Sequence, residues 1–278
     1  MATLDIVICT LNEGICQVPA CLLPPAQGVS YIVSMQYEDA RYLDLITREL
    51  TLRADVRLLT LEGRGLCRNR NYGLAAALSD YVVITDDDVR PVARLKETVE
   101  DAFARFPDMD IALFRITDYE GHFFKRYPDA PTEYEAACRM NGYYPCSCEL
   151  VLRRDRVAGT VAFDTRFGLG SGYLSSGEED VFLEDARRAG LCIQCVPHVI
   201  VRTDHVTTGT RLLQSPSMQR SKGAAFLYRY GLCNALWRTA KEFAHYLVRG
   251  KVQAGPILWH MLQGMHFLSV HPKKTTSE

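Results

Sequence analysis

Apolar residues follow two rhythms along the first part of the chain. Short β-branched runs at residues 4–9, 31–34, 56–61, 81–85 and 111–116 read as buried strands. Between them lie segments of helical character. Residues 40–53 carry Leu43, Ile46 and Leu50 on one face, 71–78 are rich in alanine and leucine, and 91–106 end at Pro107. Strand alternating with helix predicts an α/β fold whose central sheet is mostly parallel, with helices on both faces. Beyond residue 117 the pattern loosens into a Tyr-, Pro- and Gly-rich stretch reaching Pro145. A strand at 149–153, a loop over 163–176 with Gly168, Gly170 and Gly172, a helix stopped by Gly190 and a strand through 196–201 follow. Long loops inside a compact α/β domain usually carry function.

The strand at 81–85 runs straight into Asp86, Asp87 and Asp88. In an open α/β sheet, ligands sit beyond the carboxyl ends of the strands. Three adjacent carboxylates repel one another unless something positive lies among them, and a divalent cation that also holds nucleotide phosphates would supply it. A solvated acidic loop is the alternative. A second acidic group, Glu178, Glu179 and Asp180, opens the helix after the glycine-rich loop. Ser176 and Glu179 have capping-box spacing, and acids suit a helix start, so a capping role stands beside a general-base role.

The 278 residues, 47% hydrophobic and 23% charged, have an ordinary globular composition with enough length for a large core. Ten cysteines are scattered, and the N-terminus enters a strand at once without a leader-type segment, which points to a reducing, cytoplasmic setting. The pairs Cys146/Cys148 and Cys192/Cys195 lack the spacing of a zinc knuckle and read as buried or half-buried thiols. The net charge of −1 conceals a split: residues 211–278 carry a balance of +8 and the first 210 carry −9. Such asymmetry suggests a basic surface that meets something anionic, nucleic acid or membrane.

Five segments together resemble the family 2 glycosyltransferases of GT-A fold, in that family's order and spacing over about residues 4–210: 6–13, 65–74, 81–88, 163–168 and 177–180. The resemblance implies a nucleotide-diphospho-sugar transferase fold and an inverting transfer. Asp86 and Asp88 would hold the donor ribose and a magnesium or manganese ion, with Asp87 beside them. Asp180 would be the base, with Glu179 as neighbour or substitute. Arg70 matches a position near the nucleobase, Thr10 and Glu13 fall in the first nucleotide-binding loop, and His205 stands where relatives place a histidine near the metal. A surface salt bridge for Arg70 and a capping or core-edge place for His205 are the alternatives. Two positions depart from the pattern: Gln36 stands where an acidic pair commonly reads the base, and Leu11 where an aromatic is frequent. Gln36 can still hydrogen-bond a base edge, so the nucleobase is open.

These features predict a catalytic domain over residues 1–210, with 1–116 binding the nucleotide sugar and 117–210 the acceptor, followed by a basic helical tail over 211–278. Residues 232–249 form an amphipathic helix, and the apolar segment 256–270 is too short and polar for a membrane span. The tail suits an anionic membrane surface, or packing on the catalytic domain or on another copy in a homo-oligomer. The expected partners are a nucleotide-sugar donor and a glycan or lipid-linked acceptor in cell-envelope or capsular polysaccharide synthesis, at the inner face of the cell membrane. A sugar-nucleotide nucleotidyltransferase is the enzymatic alternative, although residues 12–16 lack its glycine- and lysine-rich phosphate loop. A nucleic-acid-binding protein is the other, disfavoured by the acidic region.

Overall fold

The structure, a computed structural model, describes residues 2–140, 142–204, 215–248 and 254–273. The chain divides into two compact units: Met1–Arg64, Arg68–Ala162 and Asp185–Val206 form the first, and Gly65–Cys67, Phe163–Glu184 and Thr207–Glu278 the second.

A nine-stranded sheet organises the first unit. Its strands are β1 (Leu4–Leu11), β2 (Val29–Tyr37), β3 (Val56–Glu62), β4 (Tyr81–Asp86), β5 (Arg90–Pro91), β6 (Ile111–Thr117), β7 (Thr132–Glu133), β8 (Leu150–Arg153) and β9 (Ile193–Arg202). The order across the sheet is β3-β2-β1-β4-β8-β6-β9-β5, and β7 pairs with β9 off that path. β3, β2, β1 and β4 run parallel to one another, β6 runs parallel to β9, and β8 enters antiparallel between β4 and β6. This is a mixed α/β sheet with flanking helices, as the alternation of strand and helix in the sequence predicts. Ile6, Ile8, Val33, Met35, Val83, Ala112, Phe114 and Val151 bury one face of the sheet in the main core.

The intervening helices are shorter than their sequence stripes suggest. Where residues 40–53 predict one helix, a 3-10 helix at Ala40–Leu45 is followed by α1 (Arg48–Leu52). Ile46 and Thr47 between them are extended (ψ 114 and 149), a conformation that suits adjacent β-branched residues, while Leu50 still reaches the core. α2 (Leu66–Ala76) begins five residues before the expected 71 and lies close to the sheet: a Cβ on Gly73 would stand 2.5 Å from Val7 Cγ1. The helix expected from residue 91 begins at Leu95 as α3 (Leu95–Arg105), because Arg90 and Pro91 pair with β9 and the Val92 N–H donates to Ile200 O. α4 (Tyr134–Ala137) and α5 (Arg154–Val157) are single turns.

α6 (Glu178–Arg188), of which Glu178–Glu184 belong to the second unit, begins after Gly177 and ends where Gly190, at φ 79, returns its N–H to Arg187 O. α7 (Pro216–Val248) is interrupted at Gly231 (φ 71, ψ 171), so the amphipathic segment expected from residue 232 is its second half. α8 (Ala254–Val270) crosses α7 at close range. A Cβ on Gly223 would meet Met261 O at 2.0 Å, and one on Gly264 would meet Arg220 O at 1.8 Å. Phe167, Leu174, Val181, Ala224 and Leu268 bury the seam of this unit. Among the described residues no helix is long and apolar enough to cross a membrane.

Candidate active site

Parallel pairing of β1, β2 and β4 brings their carboxyl ends to one sheet edge, with Cys9 opposite Asp86 and Leu11 opposite Gln36. The edge therefore collects Thr10, Gln36 and the three aspartates in the first unit. Thr10 Oγ1 donates to Asp87 Oδ2, and the Cys21 thiol donates to Asp87 O at 3.0 Å. Burial pushes the Asp87 carboxyl up to about 6; the Thr10 hydrogen bond opposes the shift, and the charges of Asp86 and Asp88 add to it. Glu13 is exposed on the 3-10 helix Asn12–Cys16.

Asp86 is held from below. Arg70, only 2% exposed, donates through Nη2 to Asp86 Oδ1 at 3.4 Å and to Ser147 Oγ at 2.6 Å, while the Cys148 thiol donates to Asp86 Oδ2 at 3.5 Å. Arg70 is thus a buried support for the first acid, its ion pair with Asp86 made from inside the fold and not from the surface. Gln36 is also 2% exposed, and its Nε2 has no hydrogen-bond partner among the described residues. A buried amide donor without an acceptor is costly, and a ligand carbonyl would relieve it.

Sequence reasoning missed four residues here. Asn12 takes a left-handed backbone (φ 52) and bonds Glu38 twice, accepting from its N–H at 2.9 Å and donating to Oε2 at 3.0 Å, which ties the loop after β1 to the end of β2. Asn69 donates to Thr10 O at 3.1 Å and accepts from Ser34 Oγ at 2.6 Å. An asparagine directly after a strand is a readable turn signal. Asn69, Ser147 and Cys148 are recognisable only once the fold brings them beside Thr10 and Asp86.

The expected base lies in the second unit, in the first turn of α6 with Glu178 and Glu179. The Asp180 side chain is 31% exposed and pairs with Arg229 of α7, another residue the sequence reading passed over. Gly168, Gly170 and Gly172 precede it with φ of 86, 82 and 87, and Gly168 is crowded: its Cβ would meet Cys67 Sγ at 3.1 Å.

His205 lies outside the described residues. Among the described residues, three ligand atoms within 4.8 Å of one another occur at Asp118, Glu120 and His122, on the loop after β6, and not at Asp86–Asp88. The triplet instead presents hard carboxylate oxygens, with Asp86 offset by Arg70 and the Asp87 carboxyl raised chiefly by burial. That donor chemistry fits a magnesium-type cation bound by one or two carboxylates plus phosphate oxygens. The cysteines are thiols: none of the ten is in a disulfide, burial pushes Cys9 and Cys195 up to about 12, and Cys148 is buried.

The fold is shared with solved structures of S. aureus TarS. The crystal structure of S. aureus TarS residues 1–349 superposes with a TM-score of 0.57 at 14% identity, covering 94% of this chain and 92% of that one. Its complex with UDP-GlcNAc gives 0.54 at 13% identity, with the same coverages. Against the longer TarS structure the TM-score is 0.56 at 14% identity; that match covers 88% of this chain but only 43% of TarS, so the present chain spans less than half of its length. No curated protein matches. Residues 40–158 match the family described as Glycosyl transferase family 2. The chain thus shares the GT-A fold of the TarS structures, and its residues 40–158 resemble the family 2 glycosyltransferases.

Proposed function

We propose that the chain is an inverting, divalent-metal-dependent transferase that moves a sugar from a nucleoside-diphosphate donor to a glycan or lipid-linked acceptor in cell-envelope or capsular polysaccharide synthesis. The observation that carries the reading is the gathering of Thr10, Gln36 and Asp86–Asp88 at the carboxyl ends of β1, β2 and β4. The first unit binds the donor, with Glu13 and Asn12 in the loop over it. Gln36 donates its unsatisfied amide to a carbonyl of the nucleobase. Uracil supplies such an acceptor, and the neighbouring TarS structures hold UDP and UDP-GlcNAc.

Asp86 and Asp88 would hold a magnesium or manganese ion, with His205 as a further ligand, and the ion when bound would neutralise charge on the departing diphosphate. Arg70, Ser147 and Cys148 fix Asp86 for that task. Asp180, with Glu179 beside it, takes the acceptor hydroxyl proton. The acceptor oxygen bonds to the anomeric carbon as the bond from that carbon to the diphosphate oxygen breaks, and its electron pair leaves with the nucleoside diphosphate. One displacement inverts the configuration.

The chain works in a reducing, cytoplasmic setting, in keeping with its free thiols, and its C-terminal helices lie against the inner face of an anionic membrane. Leu232, Leu236, Trp237, Leu247 and Val248 of α7 are exposed, whereas Arg238 stacks on Tyr230 at 3.8 Å and Glu242 pairs with Lys222 at 2.8 Å. A panel of nucleotide sugars with manganese tests the core of the reading. Nucleoside diphosphate release is expected from a uracil nucleotide sugar and is abolished by EDTA and by Asp88→Ala. Release that persists in EDTA removes the metal, and response to an adenine donor alone removes the base assignment.

A further inference from the structure

The first turn of α6 is docked on one stripe of α7. Ser175 Oγ donates to Ser217 Oγ at 2.8 Å, the Ser176 N–H donates to Ser221 Oγ at 3.2 Å, and a Cβ on Gly177 would stand 3.6 Å from Ala225 Cβ. Positions 217, 221 and 225 are spaced by four, which keeps them on one helix face, and 229 is the next. There Arg229 Nη1 donates to Asp180 Oδ1. The Arg229 side chain is 15% exposed, so this pair continues a packed seam and is not a solvated surface contact of small worth.

We propose that Arg229 is a positioning residue for sugar transfer: its guanidinium occupies Asp180 Oδ1 and holds the carboxylate in one orientation, so that Oδ2 takes the acceptor proton. The role rests on Asp180 as the base, as proposed above. Three adjacent acids in one turn repel one another, and an arginine fork offsets that repulsion while fixing geometry, which a mobile lysine ammonium does less well. Position matters because misplacing a reacting group by an ångström costs on the order of 10²-fold in rate. The consequence is that α7 belongs to the catalytic machinery. It supplies a residue 49 positions from its partner, immediately before the interruption at Gly231.

A double-mutant cycle on the full chain tests the role, with kcat for transfer read beside calorimetric affinity for the nucleoside diphosphate with manganese. Arg229→Met is expected to lower kcat by about 10- to 100-fold with donor affinity unchanged, and Arg229→Lys to recover part of the loss. Combined with Asp180→Asn, the Arg229→Met change is expected to cost nothing further, since its effect passes through the carboxylate. If Arg229→Met does not fold, Arg229→Gln, which retains a donor, takes its place in the cycle. A further loss of the same factor on the Asp180→Asn background, or an equal loss of donor affinity, overturns the proposal. If Asp180→Asn alone transfers within a few-fold of wild type, the base assignment falls and the role of Arg229 falls with it.

Discussion

Asp87 shows how tightly one side chain is packed at the sheet edge. An ideal Cβ on Gly14 would lie 2.0 Å from Asp87 Oδ2 and 2.6 Å from Thr10 Oγ1, so the loop after β1 closes over this carboxyl only because residue 14 has no side chain. The carboxyl is raised from 3.8 to about 6, chiefly by burial. A raised carboxyl must ionise in the fold against a penalty that the unfolded chain lacks. The penalty is fully present above about 6 and vanishes as the pH falls below 3.8. In EDTA, which keeps a cation from offsetting the charge, Asp87→Asn is therefore expected to raise the melting temperature near neutral pH. The gain should fade as the pH falls from about 6 toward 3.8, and thermal scans across that window check it. A variant that melts lower than wild type at neutral pH would mean that the carboxylate is already compensated. The acids themselves were legible in the sequence because a strand running into three carboxylates is a local pattern. The need for Gly14 was not, because the atom it makes room for is 73 positions away.

At the scale of elements, the short 3-10 helix Ser147–Glu149 matters more than its length suggests, since it carries Ser147 and Cys148 to Arg70 and Asp86. A buried network holds it. Glu149 is fully buried, pairs with Lys125 Nζ at 2.6 Å, and accepts from Tyr127 Oη at 2.6 Å and from the Cys146 N–H at 3.2 Å. The Lys125 ammonium also lies over Tyr127, Tyr143 and Tyr144, with 4.5 Å to the Tyr144 ring centroid. Burial pushes the Glu149 carboxyl up, while Lys125, Tyr127 and the Cys146 N–H pull it back. Removing one charge leaves the other buried and unpaired, so Lys125→Met is expected to destabilise by about 3–5 kcal/mol, read by denaturant unfolding. Replacing both partners, as Lys125→Met with Glu149→Leu, should recover part of that loss. A single variant as stable as wild type would show that water reaches the pair. None of this was legible in the Tyr-, Pro- and Gly-rich stretch after residue 117, which has no periodicity to read. The helical stripe at 40–53 was read too simply, because periodicity marks the face that reaches the core and not the extended break at Ile46–Thr47.

At the scale of the whole molecule, the expected boundary at residue 210 and the observed units follow different properties. Charge changes sign near residue 211, whereas packing groups Phe163–Glu184 with the C-terminal helices. The +8 balance of residues 211–278 still has a physical consequence. Two copies meeting through that segment would repel each other, while an anionic bilayer would attract each copy by about 1 kcal/mol per basic residue near its surface, less as salt rises. The exposed Leu236, Trp237, Leu247 and Val248 supply an apolar face for the interface, and Lys241 is exposed on the same half of α7. Full-length chain is therefore expected to float with anionic and not zwitterionic liposomes. High salt should reduce recovery, and Trp237→Glu, which places a charge on the apolar face, should reduce it with transfer to a soluble acceptor intact. Equal recovery with both lipid types would leave the apolar face acting without the charge. No recovery with either, together with a dimer in sedimentation, would assign the face to a second copy, and soluble acceptors would then replace lipid-linked ones as the natural substrates.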